Sequence, residues 1–266
     1  MAVDSNPLSQ PENVVDDATR RDSVIDHSKV RVNVAAAARL DRSSRFPVLL
    51  GFALSIIWLL EGTLLGDIAS FKFDWPDFLG SQEYLTFGRV RPAHLNAMVY
   101  GWASTAMFAT SLWMMPRLCR TPLRWPGLAV GGIIVWNIGV FIGIILLLAG
   151  VTDGLEWLEM DNTMADPLLV IGAAMVGASI WKTLADRKVE HLYVSIWYVA
   201  ASYPWFAIIF IAGNLPIYSG IESGAINWFY AHNALGLWLT TVNLGLIYYL
   251  LPKIVGRPIY SYWLSL

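Results

Sequence analysis

A single cysteine, Cys119, stands in 266 residues, which excludes an intrachain disulfide framework and any cysteine-based metal cluster. Charge is equally scarce. Asp, Glu, Lys and Arg together make up 14% of the chain, too little for the surface of a soluble domain or for a disordered polymer. No basic patch interleaved with aromatics occurs, so no nucleic-acid partner is indicated, and the net charge of -2 points to no charged partner of another kind. The apolar runs do not alternate with period two, which excludes transmembrane strands. The N-terminal region has no apolar segment of signal-peptide type, and there is no internal repeat or low-complexity tract.

What fills the chain instead is hydrocarbon. The apolar fraction is 56% and the mean hydropathy +0.52, values of a membrane protein. A bilayer core of about 30 Å requires about 20 apolar residues as helix, and six runs meet that length, near 47–70, 93–115, 127–150, 166–183, 192–213 and 227–251. The expected fold is all-α: a polytopic bundle of six transmembrane helices over residues 47–266, preceded by a polar, mobile tail over 1–46 in which only 34–40 has helical character. Pro116, Pro122, Pro126, Pro167, Pro216 and Pro252 fall near boundaries, where a missing N–H costs little. Pro204 lies inside the fifth run and predicts a kink there.

Orientation follows from Lys and Arg. All but three of the 18 lie in the tail, in the loops after helices two and four, or after helix six. The opposite loops hold only Lys72, Arg89 and Arg91, and one of them carries Asp153, Glu156, Glu159 and Asp161. Both termini are therefore expected in the cytoplasm, with His94 and His232 in the outer half of the bilayer. Thirteen Trp and 11 Tyr suit the water interfaces or the wall of a cofactor pocket.

A histidine inside a membrane is either polar glue between helices or a functional group. Around His94 the sequence reads RPAHLNAMVYGW. At helical spacing Ala97, Gly101 and Ser104 share its face, a narrow small-residue strip against which a flat macrocycle fits. Around His232 it reads WFYAHNALGLW, with Trp228 one turn above and Gly236 one turn below. Arg89 and Arg91 precede His94 at the interface, where guanidinium groups either snorkel or pair bidentately with carboxylates at a haem edge. His27 and His191 are interfacial or in the tail and indicate no chemistry. Glu61 lies roughly 20 Å along the first helix from its cytoplasmic end; it should face protein or water, and no role attaches to it.

FGRVRPAHLNAMVYG resembles the second helix of the catalytic subunit of cbb3-type cytochrome c oxidases, the C class of haem-copper oxygen reductases. WFYAHNALGLWLTT, continuing to LGLIYYLLPK and RPIYSYWLSL, resembles that family's sixth helix and the turn after it, and KVEHLYVSIWY is similar to the start of the fifth. The resemblance implies that His94 is an axial ligand of the low-spin haem b and His232 one of three histidine ligands of the active-site copper. It implies that Arg91, with Arg89 beside it, pairs with haem propionates. In GLEWLEM it implies Glu156 or Glu159 as a ligand of calcium near those propionates, and it puts Thr240 and Tyr248 on a proton path from the cytoplasm.

The implied activity is that of a terminal respiratory oxidase in the bacterial inner membrane. Electrons pass from cytochrome c or c-type cytochrome subunits through haem b to a high-spin haem and copper, dioxygen becomes water, and protons are pumped. The family subunit has twelve helices, so the other ligands would belong to a missing C-terminal half or a completing polypeptide. The sequence reading therefore favours a fragment that is inactive alone. Three other readings compete: a nitric oxide reductase relative, a six-helix proton-coupled transporter using His94, His232 and Glu61, and a non-catalytic membrane remnant.

Overall fold

A computed structural model describes the backbone of residues 27–257 and the side chains of residues 34–257. The expected tail over 1–26 and the terminal run 258–266 lie outside the described residues. The chain divides into two units, 1–39 and 40–266; of the first, residues 27–39 are helical.

In lipid each backbone N–H and C=O must be satisfied within its own segment, and the apolar runs accordingly fold as helices. These are α1 (His27–Asp74), α2 (Phe87–Asn96), α3 (Thr105–Cys119), α4 (Pro126–Ala149), α5 (Asp166–Ala185), α6 (Val194–Asn214), α7 (Ile221–Asn233) and α8 (Thr241–Val255). A π-helical segment, Ala97–Ser104, joins α2 to α3, and a second, Ala234–Thr240, joins α7 to α8. The result is six rods and, among the described residues, no strand beyond an isolated Leu155–Leu158 bridge.

Among the described residues five stretches are long and apolar enough to cross a membrane: Val34–Asp74, Pro126–Ala149, Asp166–Ala185, Val194–Asn214 and Ile221–Val255. The sixth rod, over 87–119, falls short in composition. Arg89 and Arg91 occupy its N-terminal end, and Gly101, Ser104, Thr105, Thr110 and Ser111 dilute its hydropathy.

α1 departs from expectation at its start. Residues 27–46, read from sequence as tail, belong to the same helix as the first span. The run of alanines before Arg39 has high helix propensity, and Pro47 removes only the bond to the Ser43 carbonyl. Ser43 Oγ is itself engaged, donating to Leu40 O at 2.6 Å and accepting from Leu123 N at 2.9 Å.

α4 and α5 pack at backbone distance. A Cβ on Gly172 would lie 2.7 Å from Trp136 N and 2.8 Å from Gly132 O, the small-residue contact by which membrane helices approach closely. Behind it stands an aromatic core. Trp238 lies 4.8 Å from Phe206, Trp136 5.4 Å from Phe206, and Phe108 4.9 Å from Trp136, ring to ring. Each buried indole finds an acceptor: Trp136 Nε1 donates to Tyr100 O at 2.8 Å, Trp238 Nε1 to Ser104 Oγ at 2.9 Å, and Trp58 Nε1 to Asn137 Oδ1 at 2.7 Å. The last of these ties α1 to α4. Trp58→Phe leaves Asn137 without that donor and is expected to cost about 1–3 kcal/mol, visible as a lowered thermal midpoint in detergent. An unchanged midpoint would show that the bond contributes nothing.

Candidate functional site

His94 stands in the last turn of α2, half-buried, just before the first π segment. Its Nδ1 lies 2.7 Å from the Gly62 carbonyl oxygen of α1. A carbonyl can only accept, so Nδ1 carries the hydrogen of this bond. That leaves Nε2 as the nitrogen available to a metal, with a backbone partner orienting the ring from its other side. Gly66, one turn along α1, leaves room for the ring: a Cβ there would sit 2.7 Å from both Nδ1 and Cε1 of His94.

The small-residue strip expected beside His94 is not an open bed. A Cβ on Gly101 would lie 2.6 Å from Trp58 Cγ, Ala97 is fully buried, and Ser104 accepts from Trp238. The chain fills this surface itself. Helix α1 is the physical reason: its Gly66, Gly62 and Trp58, one turn apart, lie against His94, Ala97 and Gly101 in that order, while Ser104 at the end of the π segment accepts from Trp238 and donates to Val99 O at 2.7 Å.

Arg91 pairs with Glu156, Nη2 to Oε1 at 2.7 Å and Nη1 to Oε2 at 3.4 Å. Arg89 donates to Leu148 O at 3.3 Å and lies across Gly150, whose φ of +90° closes α4. The two glutamates of the loop between α4 and α5 part company. Glu156 is half-exposed on Arg91, while Glu159 is 5% exposed and accepts from Asn96 Nδ2 at 2.7 Å. Burial pushes the Glu159 carboxyl above its ordinary range, against the Asn96 bond that pulls it down. Glu159 Oε1 and Asn96 Oδ1 are both buried with no hydrogen-bond partner among the described residues, a pair of hard oxygen donors. No group of three His, Cys, Asp or Glu among the described residues is arranged to hold a metal ion.

His232 belongs to a different surface. It is exposed near the end of α7, with Trp228 and Phe229 at 65% and 54% exposure and open space at Gly236. Thr240 is exposed further along the same rod. Tyr248 is half-buried, stacked on Tyr198 at 5.9 Å and 12°. The rods thus bring Arg91 and Glu156 together and put His94 against α1, with His232 on an open face. Glu61 faces an apolar groove of about 530 Å³ shared by α1 and α4, and its Oε2 has no hydrogen-bond partner among the described residues.

Residues 47–266 match the family described as "Cytochrome C and Quinol oxidase polypeptide I". The chain belongs to that family, the subunit I of haem-copper oxidases. It is 34% identical over 223 residues to the "Cbb3-type cytochrome c oxidase subunit CcoN1" of Stutzerimonas stutzeri, covering 80% of this chain and 47% of that protein. It is 31% identical over 230 residues to a "Cytochrome c oxidase subunit 1 homolog" of Agrobacterium tumefaciens (strain T37), covering 81% of this chain and 42% of that protein. The haem-copper oxidase chain described here therefore spans about half the length of the curated relatives it matches. Haem and copper are the groups this family implies, and an imidazole whose Nδ1 is taken by a backbone carbonyl presents Nε2, a ligand type that suits either metal.

Three residues that shape the surroundings of His94 and Glu159 escape sequence reasoning. Gly62 and Gly66 show only as a small pair four residues apart on α1, a signal shared by ordinary helix packing. Asn96 lies within the histidine motif, but nothing in its position announces a buried carboxylate partner 63 residues away.

Proposed function

We propose that this chain supplies helices of the catalytic subunit of a cbb3-type terminal oxidase, in which His94 would hold the iron of low-spin haem b and His232 would be one of three histidine ligands of copper. The observation that carries the reading is the His94 Nδ1 bond to Gly62 O, 2.7 Å long, within a segment that matches the oxidase family from residue 47 onward. When bound, the haems and copper carry electrons from a c-type cytochrome to dioxygen, which is reduced to water.

The chain's own residues orient and neutralise. Gly62 holds the imidazole, and Gly66 keeps its space clear. Arg91 has five N–H donors and spends two on Glu156, leaving others for a propionate, with Arg89 beside it. Glu159, with Asn96, offers the unpartnered oxygens that calcium favours. Thr240 and Tyr248 supply hydroxyls for proton transfer from the cytoplasmic side. The basic loops support cytoplasmic termini in a bacterial inner membrane. The exposed aromatic face around His232 supports coverage by further helices, either from a C-terminal half or from a completing polypeptide.

His232→Ala in the intact oxidase complex tests the division of labour. Copper content is expected to fall by about tenfold or more, the scale set by loss of metal-site partners, while the low-spin haem b difference spectrum is retained. Unchanged copper, or loss of haem b alone, would overturn the assignment.

A further inference from the structure

A second apolar groove, of about 580 Å³, runs between α5 and α6 and has no part in the site above. Its mouth lies where α5 ends, at Trp181, Leu184 and Arg187, and it extends along α6 past Trp197 and Pro204 to Ile208. Three features define what fits it. From Trp197 to Ile208 the groove follows α6 for about 16 Å at helical rise, close to half of the ~30 Å hydrocarbon core and so about one leaflet deep. Its tryptophans, Trp181, Trp197 and Trp205, remain 47%, 53% and 45% exposed, amphipathic rings of the kind that line a headgroup boundary and the apolar wall below it. Its only charged lining residue is Arg187.

Arg187 is exposed and makes no ion pair among the described residues. The neighbouring carboxylate does not neutralise it. Asp186 is held by Lys182 and Arg124 at 2.8 Å each, and those contacts keep its carboxyl below the ordinary range. Its Nη1 donates to the Leu184 carbonyl at 3.4 Å. An uncompensated cation thus stands over an apolar slot, and basic pockets between membrane helices recognise anionic lipid headgroups. A guanidinium also matches phosphate oxygens bidentately.

We infer that the α5–α6 groove binds an anionic phospholipid, with one acyl chain along Trp197 and Ala201 toward Ile208 and the headgroup phosphate on Arg187. This inference is independent of the metal assignments, because neither His94 nor His232 lines the groove.

The test uses the intact oxidase complex, reconstituted in phosphatidylcholine nanodiscs with and without one fifth phosphatidylglycerol, and counts the lipid retained after detergent exchange by native mass spectrometry. Wild type is expected to retain phosphatidylglycerol several-fold above its share of the disc. Arg187→Gln should lose that enrichment and Arg187→Lys should keep most of it, while Arg42→Gln, an exposed arginine outside the groove, should match wild type. Equal retention by wild type and Arg187→Gln would overturn the proposal. If Arg187→Gln does not assemble, Ala201→benzoylphenylalanine decides: photocrosslinking to phospholipid supports the site, and crosslinking to a polypeptide shows that a partner helix occupies it instead.

Discussion

Gly66→Leu is expected to remove low-spin haem b from the intact oxidase as completely as His94→Ala does, although Gly66 offers no metal ligand. The Cβ alone would approach Nδ1 and Cε1 of His94 to 2.7 Å, inside the distance that real Cβ contacts allow. The imidazole cannot yield while it donates to Gly62 O, because both the acceptor and the clashing carbon are fixed to the backbone of one rigid helix. Relief requires the ring to turn about its side-chain torsions, which breaks the bond that sets the tautomer and moves Nε2 off its axis. Gly66→Ala should show a smaller loss of the haem b difference spectrum, and Gly127→Ala, with open space around it, should show none. A Gly66→Leu complex with a wild-type spectrum would sink the account, since His94 would then be held by something other than α1.

The second large effect is on stability. Gly172→Val is expected to unseat α5 from α4, because the atoms it strikes are Trp136 N and Gly132 O, both backbone, and neither can swing aside. Overpacking of a close contact usually costs about 1–3 kcal/mol, and here the displaced strip includes Trp136, whose indole bonds Tyr100 O and whose ring packs on Phe108 and Phe206. The shift therefore reaches the aromatic core. Thermal unfolding in detergent should show a fall of several degrees together with a lower yield of folded protein. A midpoint equal to that of wild type would mean that the helices separate there at no cost.

Much of the helical fold is plain in the sequence because one constraint dominates. Lipid leaves a long apolar run little choice but helix, and the observed α4, α5 and α6 begin and end close to the runs at 127–150, 166–183 and 192–213. The start of α1 is less legible, since polar helix and polar tail look alike until alanine propensity is weighed. The motif around His94 carries the family in its letters, yet it does not reveal how the ring is held. Gly62 and Gly66 are separated from His94 by a loop and a turn, and their meaning appears only when α1 is laid against α2. The small-residue strip shows a different kind of failure: His94, Ala97 and Gly101 share a face as the spacing says, but the sequence does not say that α1 covers it.

The two π segments have a consequence for how the two histidines are mounted. Each stands on a helix, α2 or α7, coupled through a π segment to the next, α3 or α8. An α-helix advances about 100° per residue, so one residue added or withdrawn at such a coupling changes by that angle the bearing of the histidine relative to the helix beyond it. The carbonyl of Tyr100, within the first coupling, accepts from the Trp136 indole. The register of each coupling thus enters the direction in which its imidazole faces.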